Sequence, residues 1–270
     1  MAKSALIYCD DLLAYSATFV RSQAEALQEF VPHYAGIQRV EGLPLPAERT
    51  LVVDAGRLGK LWKLSYKLQG FAPDFFERAQ KLQPSLVHAH FGPDGLRALP
   101  LAQGLNIPLL VTMHGYDVTL TEQAIRQSTS SHRTYLRHRS RLQKKATCFI
   151  AVSHFIQRTM LNQGFPPEKV KVHYIGVDTA RFCPDSTVSR EPVVLFTGRL
   201  VEKKGCDRLI KAMAQVQQVR PEVELVVIRD GPLRSSLEEQ AKATLKRYRF
   251  LGRQSPEQVK AWMNRAQVFS

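Results

Sequence analysis

The stretch LVHAHFGPDGLRALPLAQGLNIPLLVTM runs from Leu86 to Met113 and decides the fold class. Leu86–His90 is a short apolar run that reads as a buried strand. Leu96–Gln103 carries helix-forming residues, and Leu109–Met113 is a second buried strand behind Pro108. A strand, a helix and another strand in this order predict parallel pairing with the helix packed across the sheet.

The same rhythm extends both ways. Ala5–Cys9, Leu51–Val53, Cys148–Val152 and Val170–Ile175 are further strand-like runs, and Thr18–Phe30, His132–Ala146 and His154–Gln163 read as helices. The composition shifts after Val177, where residues 178–192 hold two prolines and many polar groups, as expected of an interdomain crossing. A second series follows: strand Val193–Thr197, helix Cys206–Val219, strand Glu224–Ile228, helix Leu233–Leu245, strand Arg249–Leu251, helix Pro256–Ala266 and an apolar stub at Gln267–Phe269. The expected architecture is α/β with two Rossmann-like doubly wound domains facing a cleft, the default ligand site. The first domain spans 1–177, the crossing 178–192 and the second domain 193–270. The second is expected to be incomplete, because an open α/β domain generally needs about 100 residues or more.

Composition narrows the function classes. The 270 residues are 44% hydrophobic and 23% charged, a globular balance that excludes disorder of the whole chain. No run approaches the ~20 apolar residues of a spanning helix. Asp10 and Asp11 interrupt any signal-peptide core, so a cytoplasmic location is expected. Cys9, Cys148, Cys183 and Cys206 are scattered without disulfide or zinc spacing. The net charge of +14 is uneven: no acid occurs between Glu122 and Glu168, while Arg126, Arg133, Arg137, Arg139, Arg141, Lys144, Lys145 and Arg158 fall there. Such a block attracts anionic partners.

Several groups are placed for chemistry. Neither GxGxxG nor GxxxxGK[ST] occurs. The segment Phe196-Thr197-Gly198-Arg199-Leu200-Val201-Glu202-Lys203-Lys204-Gly205 joins a strand to a helix, and Arg199 and Lys204 are either solvated loop cations or a grip for a diphosphate. His88 and His90 alternate on one strand and share a face, as core histidines or as a metal pair with no third ligand nearby in sequence. His114, before Gly115 and Asp117, ends a strand where open α/β proteins place ligands; the alternative is a satisfied turn histidine. Arg133, Arg137, Arg141 and Lys144 form one helical stripe, either a solvated face or a surface for anionic membrane. One interleaved aromatic and no known nucleic-acid module argue against nucleic acid as partner.

These residues, in this order, resemble the retaining glycosyltransferases of the GT-B fold, family 4, particularly bacterial enzymes of exopolysaccharide and lipopolysaccharide synthesis. The resemblance covers nearly the whole chain. It is carried by Ala17-Thr18-Phe19-Val20-Arg21, His88-Ala89-His90-Phe91-Gly92, Thr112-Met113-His114-Gly115-Tyr116-Asp117, Ala151-Val152-Ser153, Ile175-Gly176-Val177-Asp178 with Phe182, Gly198-Arg199-Leu200 through Lys204-Gly205, and Asp230-Gly231-Pro232-Leu233. It implies a hexosyltransferase moving sugar from a nucleotide-sugar donor to a lipid-linked or polysaccharide acceptor, peripheral to the inner face of the plasma membrane. It also implies Gly198, Arg199 and Lys204 at the donor diphosphate, His114 and Asp117 at the catalytic centre, and Thr18, Arg21 and His90 on the acceptor side. No cofactor is implied, since the nucleotide-sugar is a substrate, and no metal.

Two departures stand out. Arg229 occupies a position where the family usually has glycine. The family's E-x7-E glutamates would fall after Ser270, so weak or absent nucleoside-diphosphate binding is expected of these 270 residues. The alternative expectation is a truncated, non-catalytic member that binds only acceptor or membrane.

Overall fold

The structure is a computed structural model and describes residues 3–56 and 58–270. It divides into two compact units after Gly176.

In chain order the first unit contains β1 (Lys3–Tyr8), β2 (Asp11–Leu12), α1 (Thr18–Glu25), β3 (Phe30–Gly36), β4 (Gln38–Arg39), β5 (Thr50–Val52), α2 (Gly59–Gln69), α3 (Pro73–Lys81) and β6 (Pro84–His90). There follow α4 (Gly92–Gly104), β7 (Leu109–Met113), α5 (Tyr116–Thr119), α6 (Glu122–Arg126), α7 (Ser130–Lys145), β8 (Cys148–Ala151), α8 (His154–Asn162) and β9 (Val170–Val172). The main sheet has the order β5-β3-β1-β6-β7-β8-β9 and is parallel at every pairing. The chain winds outward in one direction through β3 and β5, then returns to β6 and proceeds the other way. Right-handed crossovers therefore put helices on both faces. Tyr66 of α2, Phe75 of α3, Leu99 of α4, Leu142 of α7 and Met160 of α8 share one core. Val20 and Ala24 of α1 join a second core on the opposite face. The order reverses between β1 and β6, and the crevice at the carboxyl ends of these strands is where doubly wound sheets hold ligands.

The second unit contains β10 (Glu191–Thr197), α9 (Cys206–Val219), β11 (Glu224–Ile228), α10 (Arg234–Thr244), β12 (Tyr248–Gly252), α11 (Pro256–Arg265) and β13 (Ala266–Phe269). Its parallel sheet has the order β12-β11-β10-β13, so the reversal lies between β10 and β13. Residues from α9 and α10 fill the core on one face, and Trp262 of α11 packs on the other. The Arg249 and Arg265 guanidiniums lie 4.9 and 4.2 Å from the Trp262 ring centroid. Part of the segment read as a crossing is tied to α11, through Arg181–Glu257 and through the Asp185 amide, which donates to Asn264 Oδ1. Both units are thus α/β, with the parallel sheets expected of GT-B glycosyltransferases. No helix among the described residues is long and apolar enough to cross a membrane.

The structure corrects the reading of Thr18–Phe30. The helix stops at Glu25, and Phe30 opens β3, the direct neighbour of β1. Pro32 hid this strand, since proline donates no ladder hydrogen bond. It is tolerated because β5 pairs only with Tyr34–Gly36, leaving that side of β3 without a β5 partner at Pro32. Helices α2 and α3 are additions that the strand-centred reading passed over.

Candidate functional site

The first unit gathers its chemistry at the ends of β6 and β7. His88 and His90 project on the same face, with ring centroids 4.5 Å apart, and His114 stacks next at 5.2 Å from His90. His88 Nε2 and Thr112 Oγ1 lie 2.7 Å apart, and His90 Nδ1 shares a 3.0 Å hydrogen bond with His114 Nε2. Burial disfavours the imidazolium at all three. His88 and His114 are pushed down to about 4, and His90 well below its ordinary value, so the row is neutral at pH 7. His114 Nδ1 is buried without a partner among the described residues. Phe19 and Phe91 each place a ring 4.7 Å from the His114 ring and wall it on two sides.

Asp117 does different work from His114. Its Oδ2 accepts from the Gly92 amide at 2.9 Å, and its Oδ1 accepts from the Gly115 amide at 3.0 Å. Burial raises its carboxyl to about 6 against the pull of these amides. Through these two amides Asp117 ties the turn after β6 to the turn after β7, next to His114. At the β1–β6 reversal, the Asp10 amide donates to Asp94 Oδ2, and Tyr8 Oη donates to Asp10 Oδ1. Burial raises both carboxyls, Asp10 to about 6.

Of the acceptor-side expectations, Thr18 opens α1 next to Phe19, which contacts the His114 ring. Arg21 lies in electrostatic reach of Glu25, whose carboxylate is held by Tyr34 and Arg49. Residue-by-residue reading missed Phe19 and Phe91 as ring contacts, because both rings reach His114 only through tertiary packing. Phe91 also has a positive φ of 72°, in the turn that aims it.

In the second unit, Gly198, Arg199 and Lys204 occupy the loop from β10 to α9, at that sheet's reversal. Gly205 takes φ +67°, a left-handed conformation that suits glycine, and opens α9. The first-turn amides of a helix have no intrahelical partner and favour anions. Arg199 and Lys204 are both exposed, and among the described residues neither side chain has an intramolecular hydrogen bond or ion pair. The loop after β11 is pressed against this one: Leu200 N donates to Asp230 O, and a Cβ on Gly231 would meet Leu200 O at 2.3 Å.

On α7, Arg133, Arg137, Arg141 and Lys144 are all exposed, while Tyr135 and Leu142 are fully buried. The cations therefore form one outward stripe.

Residues 18–181 match the family model Glycosyltransferase Family 4, and residues 184–270 match Glycosyl transferases group 1. TuaC of Bacillus subtilis (strain 168), a glycosyltransferase named for teichuronic acid biosynthesis, is 26% identical over 71% of this chain and 48% of its own length. The D-inositol 3-phosphate glycosyltransferase of Segniliparus rotundus is 29% identical over 53% of this chain and 34% of its own. The chain thus spans about half or less of the curated relatives it matches. Among solved structures, Anabaena HepE in complex with UDP and glucose superposes with a TM-score of 0.74 at 19% identity, covering 100% of this chain and 73% of HepE. Sucrose-phosphate synthase of Thermosynechococcus elongatus superposes at 0.70 with 19% identity, covering 100% and 75%. At these identities the superpositions show a shared fold.

Proposed function

The chain belongs to Glycosyltransferase Family 4, and from that membership we propose that it transfers a hexose from a nucleotide-sugar to a lipid-linked or polysaccharide acceptor with retention of configuration. The observation that carries this reading is the pair of unpartnered cations, Arg199 and Lys204, at the mouth of α9. They grip the donor diphosphate, and with the helix N-terminus they stabilise the charge that grows on the leaving nucleoside diphosphate. The donor class is supported by HepE, crystallised with UDP and glucose. His114 offers its free Nδ1 to a sugar hydroxyl in its neutral form, while Thr18, Arg21 and His90 shape the acceptor side. The acceptor hydroxyl attacks from the leaving-group side: its oxygen bonds to the anomeric carbon as the bond to phosphate oxygen breaks, and its proton passes to the departing phosphate. Charge neutralisation by Arg199 and Lys204 makes the transfer independent of metal.

The protein works in the cytoplasm, and the α7 stripe holds it electrostatically at the anionic inner face of the plasma membrane. Nucleic acid is not its partner.

The test is an NMR titration with UDP and GDP at millimolar concentration. The amide signals of Gly198, Arg199, Lys204 and Gly205 are expected to shift, and Arg199→Ala to weaken binding about tenfold through loss of a charge-assisted hydrogen bond. Signals that stay fixed in this loop, or equal binding by the variant, would overturn the donor assignment.

A further inference from the structure

Helix α2 carries a feature that the donor and acceptor assignments leave unused. Leu58, Leu61, Leu64, Leu68 and Phe71 are each between 54 and 74% exposed. Leu61, Leu64 and Leu68 recur at i, i+3 and i+7 and so form one stripe on α2. Core packing does not account for them. The inward face belongs to Gly59 and Tyr66, with Trp62 packed against the main core, and Tyr66 Oη donates to the Arg97 carbonyl of α4. A contiguous row of solvent-facing leucines on a well-anchored helix marks an interaction surface.

The charges beside the stripe indicate its partner. Lys60 and Lys67 are exposed and, seven residues apart, lie on one side of the leucines. Lys63, half-buried, donates to the neutral Gln38 side chain. No acidic residue occurs between Asp54 and Asp74. Leucines facing outward, lysines along their flank and no acids form the pattern of a helix lying in the plane of an anionic bilayer, its apolar side among the acyl chains and its ammoniums at the headgroups.

We infer that α2 is an in-plane membrane anchor, inserting Leu61, Leu64 and Leu68 with Leu58 and Phe71 at its ends. This goes beyond the electrostatic contact proposed for α7, because insertion is apolar and survives salt. The two surfaces are compatible: α2 and α7 pack on the same core, hence on the same face of the main sheet. Tyr66 of α2 shares its core with Tyr8 at the end of β1. Anchoring by α2 therefore holds the carboxyl edge of the β1–β6 crevice close to the bilayer, where a lipid-linked substrate resides.

The experiment is vesicle co-sedimentation of the full chain with phosphatidylcholine alone and with phosphatidylcholine–phosphatidylglycerol mixtures, at low salt and at about 0.5 M salt, where exposed charges are screened. Wild type is expected to retain binding at high salt. Leu61→Ser/Leu64→Ser/Leu68→Ser is expected to lose at least about tenfold at either salt, since each buried leucine contributes a factor of this order. Circular dichroism and thermal midpoint should stay unchanged, because these side chains face solvent. Lys60→Gln/Lys67→Gln should lose only the preference for phosphatidylglycerol. Equal binding by the leucine variant and wild type overturns the proposal. So does gel filtration showing a wild-type dimer that the leucine variant dissociates, which would assign the stripe to a second copy. The donor-loop NMR titration reads the second unit and remains as in wild type in every variant, so failure of the anchor is separable from failure of the transferase reading.

Discussion

Arg229 shows how one residue can carry a backbone cost. It has φ +102°, where a side chain is strained, and its amide donates to the Gly252 carbonyl at 2.7 Å, tying the loop after β11 to the end of β12. The family's usual glycine at this position follows from that geometry, since glycine adopts it without penalty. Arg229→Gly is therefore expected to raise stability by about 1 kcal/mol, measured by urea unfolding, with the hydrogen bond kept. At the same scale, Asp117 and His114 differ in how far their polar atoms are satisfied. One spends both carboxylate oxygens on backbone amides, and the other keeps a nitrogen unused.

Among the elements, α4 and α7 show how closely the site is built. Gly92 begins α4 under the Tyr135 ring of α7, and a Cβ there would meet Tyr135 Cζ at 2.5 Å. Gly92→Ala is expected to cost about 2–3 kcal/mol in thermal or denaturant unfolding, because the ring is fully buried and must be displaced. The damage should reach the site, since the Gly92 amide is one of the two that hold Asp117. The strand-helix-strand reading of 86–113 succeeds because apolar runs and helix formers are local properties. The reading of Thr18–Phe30 fails because helix formers at its start and Pro32 beyond its end both weigh against a strand that only its parallel neighbour β1 stabilises.

Across the whole molecule, two sets of buried titratable groups oppose each other. Burial holds His88 and His114 down at about 4 and His90 lower still, while it raises Asp10 and Asp117 to about 6 and Asp94 well above its ordinary value. A histidine whose folded pKa is depressed contributes stability in full above its unfolded value near 6.5, and loses it as pH falls towards 4. A raised carboxyl does the opposite: it costs stability above about 6 and is relieved as pH falls. His114→Asn removes one histidine and leaves the acids. Its stability relative to wild type should therefore improve as pH drops from 6.5 to 4, by up to about 3 kcal/mol, read from unfolding midpoints across that range. A pH-independent difference would mean that His114 is not held neutral by burial.

The sequence by itself determined the alternation of strand and helix, the Arg199–Lys204 loop between a strand and a helix, and the cationic stripe of α7. Each of these depends on composition and spacing within a few residues of chain. Only the tertiary structure decided which strands adjoin, and so where each sheet reverses. It alone brought Phe19, Phe91 and His90 around His114, turned Asp117 inward, and left the leucines of α2 facing outward. Those outcomes depend on burial and on contacts between residues far apart in the chain, and local pattern carries no record of either.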